Sequence, residues 1–347
     1  MYENVAIVYW CDGAGHAARA IPVAKEFESR GCEVSIGGGG PGARFVDLNG
    51  FDQPELTTVS VKGSTPLSFA RHTLFDLIPS AVRRLRELSA WLDDVDPDVL
   101  VTDDIFAAAI AAKRGIDFYR IDHLTTDLFG PVWGTPLAIY NTVSLQFAEG
   151  IIVTSLWADD PDPPGITRVD PLAQEGEADA EIEPYDVLLV PGTHGENFDT
   201  IRARLEAEGY DVRTVGDDDW ETTPTMTPYT AAAEVVVCTG FSSIADTVVA
   251  GTPCVIYPFL PFQKAIGKRV ERKGIEGIST ARSVEAVVDA AIDYCHSDET
   301  PEYDNGAPAF VDAVLGDDAA RADDIVEGTD AALDDDAVVS EDAALDD

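Results

Sequence analysis

A strand-like apolar run that breaks at a glycine turn and resumes as a helix occurs near the head of each half of this chain, and no other feature narrows its possible folds so far. Val5 to Trp10 is continuously apolar, the turn Cys11-Asp-Gly-Ala-Gly-His16 follows, and Ala17 to Ser29 then carries apolar residues at helical spacing. The alternation continues through strands at Glu33–Ile36, Thr58–Val61 and Val99–Thr102, helices at Ser80–Leu92 and Ile105–Arg114, and strands at Phe118–Ile121 and Ile151–Leu156. A second series runs through strand Val187–Val190, loop Pro191–Glu196, helix Phe198–Glu208 and strands Asp211–Thr214 and Val235–Cys238. Helix Ile244–Ala250, strand Cys254–Tyr257 and helices at Lys264–Lys273 and Val284–Tyr294 complete it. Strands that read as buried on both faces, separated by helices, predict parallel sheets in an α/β fold.

The chain has 347 residues, enough for two such units, and at 45% hydrophobic it can bury two cores. The expected division is a first domain over 1–157, a connector over 158–184 that is rich in Pro, Asp, Glu and Gly, and a second domain over 185–297. A helical extension over 298–328 and an acidic, solvated end over 329–347 follow.

Charge excludes a function class. Sixty-four acids against 23 bases leave a net −41, which repels phosphate backbones and makes nucleic acid an unsuitable partner. Residues 298–347 hold 18 acids and one arginine, so most of the excess lies elsewhere and the acidity is global. A fold this acidic is expected to work in a salt-rich cytoplasm, where molar salt shortens the screening length to about 3 Å. The five cysteines have no metal-type spacing and mostly sit in apolar runs, which indicates a reducing compartment. No signal peptide or membrane-length apolar run is read, so the expected location is cytoplasmic, with contact at most at the inner face of a membrane.

Ligands of open α/β sheets bind beyond the carboxyl ends of the strands, which directs attention to the loops. Gly13-x-Gly15-x-x-Ala18 fits a dinucleotide fingerprint, but the second strand ends Glu33-Val-Ser-Ile-Gly37 without the ribose-binding acid, which counts against NAD. His16 is either a hydrogen-bonded loop histidine or a general base near neutral pH. Asp103 and Asp104 end another strand, and either could orient His16 or cap the following helix. Pro191-Gly-Thr-His-Gly195, which contains Thr193 and His194, follows a strand and could receive phosphate oxygens. Residues 235–258 read as strand, turn at Gly240, a helix start bearing Ser242 and Ser243, and a second strand, with Asp246 one helical turn on and able to grip a ribose diol.

This last stretch resembles the donor-site signature of glycosyltransferases of the GT-B fold, in the MurG-type and UDP-glycosyltransferase-like group (glycosyltransferase family 28-like), here as an acidic member of haloarchaeal type. The segment "GAGHAARAIPVAKEF" is similar to that group's N-terminal motif, with His16 and Arg19 in register, "PDVLVTD" resembles the strand that ends in a relay aspartate, here Asp103, and "VPGTHGE" resembles its phosphate loop. The chain departs from the pattern at Cys238, where relatives carry histidine, and at Phe262-Gln263, where they carry Asp-Gln.

The resemblance implies two Rossmann-like domains facing across a cleft and an inverting, metal-independent transfer of a hexose-type sugar from a UDP-sugar to an acceptor hydroxyl. It implies no cofactor beyond the sugar nucleotide. His16 would act as base and Asp103 as its orienting partner, with Gly13, Gly15, Thr193, His194, Gly240, Ser242, Ser243, Asp246 and Gln263 on the donor side. A sugar-nucleotide epimerase of the same fold and a non-catalytic sugar-nucleotide-binding protein remain as alternatives. Lys264, Lys268, Arg269, Arg272 and Lys273 form either a solvated helix face or an electropositive wall near the donor. Arg83, Arg84 and Arg86, after the apolar-rich Pro66–Pro79, form either an ordinary helix or a surface for a lipid-linked acceptor and weak membrane contact.

Overall fold

A computed structural model describes residues 2–60, 76–124, 128, 131–157, 164–176, 182–192, 195–218 and 220–316. The chain order in the first domain is β1 (Asn4–Val8), α1 (Ala14–Ser29), β2 (Glu33–Gly37), α2 (Ala43–Leu48), α3 (Ile78–Val95), β3 (Val99–Thr102), α4 (Ile105–Arg114), β4 (Asp117–Asp122), α5 (Pro131–Ser144), β5 (Gly150–Thr154) and β6 (Ile166–Val169). These strands form one parallel sheet in the order β2-β1-β3-β4-β5-β6. The second domain follows with β7 (Tyr185–Val190), α6 (Phe198–Ala207), β8 (Val212–Thr214), α7 (Thr227–Ala231), β9 (Ala233–Cys238), α8 (Phe241–Val249), β10 (Cys254–Ile256), α9 (Pro261–Lys273), β11 (Ile278–Thr280) and α10 (Val284–Tyr294). Its parallel sheet has the order β11-β10-β9-β7-β8.

The central strands are buried on both faces, as their unbroken apolar runs require. Val5, Ile7, Val99 and Val101 face one core with Phe27 of α1, while Ala6, Val8 and Leu100 face another with Leu88 and Leu92 of α3. The second sheet divides in the same way, with Leu188, Val236 and Ile256 on one face and Val187, Val235 and Val255 on the other.

Register decides where chemistry can occur. Val8 is level with Gly37 of β2 and Thr102 of β3, so the loops after β1, β2 and β3 open along one sheet edge. Cys238 is level with Val190 and Ile256, which does the same for the loops after β7, β9 and β10.

Three expectations are corrected. Residues 58–60 form no strand and Val61 lies outside the described residues; the segment is tied by the Val59 amide to the Cys11 thiol at 3.2 Å and by Thr57 to Glu87. The stretch 158–184 is more than a connector, because β6 within it extends the first sheet. Four residues at a sheet edge are too few to display a period in sequence. Leu156 and Trp157, placed at the end of the first domain, are buried with Tyr185 and Leu188 of the second.

The chain then crosses back. A final helix, α11 (residues 307–316), buries Ala307, Phe310, Val311 and Val314 in the first domain's core. Residues 317–347, including the acidic end, lie outside the described residues.

Candidate active site between the two domains

Helix α1 begins without a side-chain cap. Gly13 occupies the cap position in extended conformation, which leaves the first N–H groups of the helix unpaired by side chains and puts His16 in its first turn. His16 Nδ1 lies 2.5 Å from Asp103 Oδ2, and Asp103 Oδ1 accepts the Trp10 amide at 2.6 Å. A carboxylate only accepts, so the short contact places the proton of the neutral ring on Nδ1 and leaves the lone pair on Nε2. Arg19, one helical turn on and 5% exposed, brings Nη2 within 3.1 Å of the same Asp103 oxygen. Burial alone would raise the Asp103 carboxyl; hydrogen bonding and charge from His16, the Arg19 guanidinium and the Trp10 amide outweigh it and hold the group below its usual range.

The adjacent aspartate points the other way. Asp104 Oδ1 caps α4 by accepting the Phe106 and Ala107 amides at 2.7 and 3.1 Å, and Oδ2 pairs with Arg84 Nε at 2.8 Å and Nη2 at 2.6 Å. Both side chains are 0% exposed. Arg84 is therefore an interior residue and does not belong to a surface basic cluster, whereas Arg83 and Arg86 are exposed. Alternation along the chain separates the two carboxylates: one faces the cleft and the other locks the corner behind it.

Across the cleft, α8 also begins uncapped, with Gly240 extended at its cap position. Ser242 Oγ donates to Gly15 O at 3.1 Å, so the amino ends of α1 and α8 meet. A side-chain carbon at Gly15 would come within 2.9 Å of Ser242 Oγ, which explains a glycine there. The loop after β7 is drawn in beside them: Thr239 Oγ1 donates to Pro191 O at 3.2 Å and Gly192 adopts a positive φ of 62°. Thr193 and His194 of that loop lie outside the described residues.

Ser243 is half-buried and its carbonyl accepts the Thr247 hydroxyl. Asp246 is half-buried, and burial pushes its carboxyl up to about 7, opposed by the backbone N–H of Gln174. Gln263 departs from expectation. It is 6% exposed and its Oε1 accepts the Phe259 and Leu260 amides, both at 2.9 Å, so this oxygen shapes the turn into α9 and is not offered to the cleft.

Cys238 is fully buried, with its Sγ 3.4 Å from that of Cys254, and takes no place in the cleft. Of the basic cluster on α9, Lys264, Lys268, Arg272 and Lys273 are exposed, while Arg269 turns inward over the Trp157 ring at 5.7 Å. The cluster is thus largely a solvated face.

Sequence reasoning missed His123. It follows β4 on the same sheet edge as Asp103, and its ring packs on Phe241 at 5.1 Å and edge-on to Phe262 at 6.5 Å. Burial, then the positive charge of the Arg19 guanidinium, holds it well below the usual imidazole range, and its buried Nδ1 has no hydrogen-bond partner among the described residues. A histidine directly after a buried strand was the available signal. No cluster of three or more His, Cys, Asp or Glu side chains suited to a metal ion is found among the described residues.

Two parallel-sheet α/β domains joined by a double crossing, with both sets of strand ends opening on one cleft, define the GT-B fold. Solved structures agree. Spinosyn forosaminyltransferase SpnP superposes at a TM-score of 0.60 with 13% identity, over 86% of this chain and 91% of that one. Spinosyn rhamnosyltransferase SpnG complexed with thymidine diphosphate gives 0.58 with 14% identity over 90% and 100%, and Acinetobacter baumannii MurG gives 0.55 with 14% identity over 90% and 99%.

No family model matches the chain. Among curated proteins, an uncharacterized glycosyltransferase of Methanosarcina acetivorans is 30% identical over 118 residues, covering 32% of this chain and 30% of that protein. One from Methanosarcina mazei is 30% identical over 156 residues, 41% of each. The match thus spans less than half the length of these relatives.

Proposed function

We propose that the protein is a glycosyltransferase that moves a hexose-type sugar from a nucleoside diphosphate, UDP by preference, to an acceptor hydroxyl with inversion. The observation that carries this reading is the His16–Asp103 pair at 2.5 Å, set beside the uncapped start of α8, which meets α1 through the Ser242–Gly15 hydrogen bond. The acceptor hydroxyl gives its proton to His16 Nε2 as its oxygen attacks the anomeric carbon from one side. The bond from that carbon to the diphosphate oxygen breaks on the other side, and a single displacement inverts the centre. Asp103 and Arg19 hold the imidazole and balance the charge it gains. The leaving diphosphate meets the positive end of the α8 dipole and its free N–H groups, aided by the Ser243 hydroxyl. Asp246 takes the ribose hydroxyls.

The acceptor is proposed to be lipid-linked. On α3, Ile78, Val82 and Leu85 are 50%, 42% and 40% exposed at helical spacing beside Arg83 and Arg86, a stripe suited to a membrane surface. No described helix is long and apolar enough to cross a membrane.

The test is His16→Ala. Turnover, followed as UDP release in molar KCl, should fall by about two or more orders of magnitude while UDP binding persists. Unchanged turnover would remove His16 from the mechanism. Release of UDP or of an altered sugar from donor alone, with no acceptor dependence, would favour the epimerase.

A further inference from the structure

Asn49 closes helix α2, and its side chain joins three parts of the molecule. Nδ2 donates to Phe45 O of its own helix at 2.8 Å and, 175 positions along the chain, to Pro224 O of the second domain at 3.0 Å. Oδ1 accepts from Nε2 of Gln174, which lies in the segment crossing between the domains and is 6% exposed. The carbonyl of Gln174 accepts the hydroxyls of Thr225 and, at 2.8 Å, Thr227, so the stretch that Asn49 grips directly is also held through the crossing.

Both ends of this junction lead to the site. On the first-domain side, α2 packs closely on α1. Val46 shares a core with Ala17 and Ala20, and a side-chain carbon at Gly42, the cap residue of α2, would come within 2.6 Å of Ala17 Cβ. Ala17 is the residue after His16. On the second-domain side, Pro224 leads into α7, where the buried Thr230 donates from Oγ1 to Asp246 O of α8 at 3.3 Å and its own carbonyl accepts the Thr252 hydroxyl at 2.8 Å. Helix α8 is thus tied to the first domain at two points, at its start by Ser242 on Gly15 and farther along by way of Asn49. One point of contact permits rotation about it; two points along a helix resist that rotation.

We propose that Asn49 is a positioning residue that sets the distance and angle between the His16 imidazole and the amino end of α8. This rests on the reading of those two groups as the base and the diphosphate side of the site. Every bond in the path joins protein to protein, so the setting does not depend on the nucleotide, and UDP enters a cleft of fixed width. Asn49 acts through α1 and α8 and touches none of the reacting groups. Misplacing reacting groups by about 1 Å costs about 100-fold in rate, so the loss of one tie of two is felt in turnover.

The experiment compares the unaltered protein with Asn49→Ala and Asn49→Asp, all in molar KCl. Aspartate keeps the volume and the acceptor for Gln174 but cannot donate to Pro224 O, so both variants lose the direct tie. Steady-state UDP release from UDP-glucose, calorimetric UDP affinity, and small-angle scattering with and without UDP are measured. In both variants kcat should fall by about tenfold or more while UDP affinity is unchanged, because the groups proposed to hold the nucleotide all belong to the second domain. A tie that served stability alone would lower the unfolding midpoint and leave kcat per folded molecule as it was. The radius of gyration of the variants should exceed that of the unaltered protein, and UDP should leave the unaltered protein's radius as it is. Unchanged kcat in a folded variant, or compaction of the unaltered protein by UDP, overturns the proposal; if neither variant folds, the second measurement decides alone. If the unaltered protein neither binds UDP nor turns over UDP-glucose, the reading of the site falls, while the scattering of the variants still decides whether Asn49 holds the domains, and equal radii refute it.

Discussion

Arg84→Met tests the structure without any knowledge of substrate. Arg84 and Asp104 are both 0% exposed, and the guanidinium also donates to the carbonyls of Gly38 at 2.9 Å, Thr57 at 3.0 Å and Tyr9 at 3.4 Å. Methionine keeps much of the aliphatic volume and removes every donor. Breaking a buried pair from one side costs about 3–5 kcal/mol, since the remaining carboxylate has lost its partner and has no water. Three carbonyls stranded together place the expected loss toward the upper end.

The pH dependence carries a definite sign. Burial raises the Asp104 carboxyl, while Arg84 and the α4 amides pull it down; without Arg84 it climbs further. A carboxyl raised in the folded state binds its proton more tightly there than in the unfolded chain. Its contribution is therefore largest below the unfolded value near 4 and declines by at most about 1.4 kcal/mol per pH unit as pH rises through the folded value. The variant should accordingly lose less stability at pH 5 than at pH 8. Urea unfolding in molar KCl, read by tryptophan fluorescence, is the assay, and Trp10, whose ring lies 5.9 Å from the Arg84 guanidinium, is a local reporter. A loss below about 1 kcal/mol, or the same loss at both pH values, would refute the reasoning.

Two further predictions address the site and the turn behind it. Asp103→Asn should lower turnover by about 10²–10⁴-fold with UDP affinity retained, because an amide group facing His16 Nδ1 favours the tautomer whose Nε2 bears the proton; steady-state UDP release checks this, and a loss under tenfold contradicts the relay. Gly40→Ala should cost more than about 2 kcal/mol in urea unfolding, since Gly40 has φ of +66° and a side-chain carbon would sit 2.0 Å from Cys11 O. A neutral result there would mean that the backbone relaxes.

Much of this molecule is written locally. The apolar runs that begin at Val5, Val99, Val187 and Val235, each followed by a turn and a helix start, specify two parallel α/β sheets, and the helices at Ile105–Arg114 and Val284–Tyr294 have the bounds that their periodicity predicts. Helix α5 goes unread, since Pro131, Gly134 and Pro136 lower its helical propensity. The placement of His16 at a helix start also follows from the chain alone, because capping and period depend on residues within a turn or two of each other.

Other choices had to wait for contacts distant in sequence. Asp103 and Asp104 are equivalent candidates until Arg84 claims one and His16 the other, over 20 and 87 positions of chain. The inward turn of Arg84, the arrival of His123 against Phe241, the edge strand β6, and the meeting of Asn49 with Gln174 have no local signature either. Periodicity reports which face of an element is buried and is silent on what buries it; partner and orientation come from packing two sheets and two crossings together, and that information resides in three dimensions.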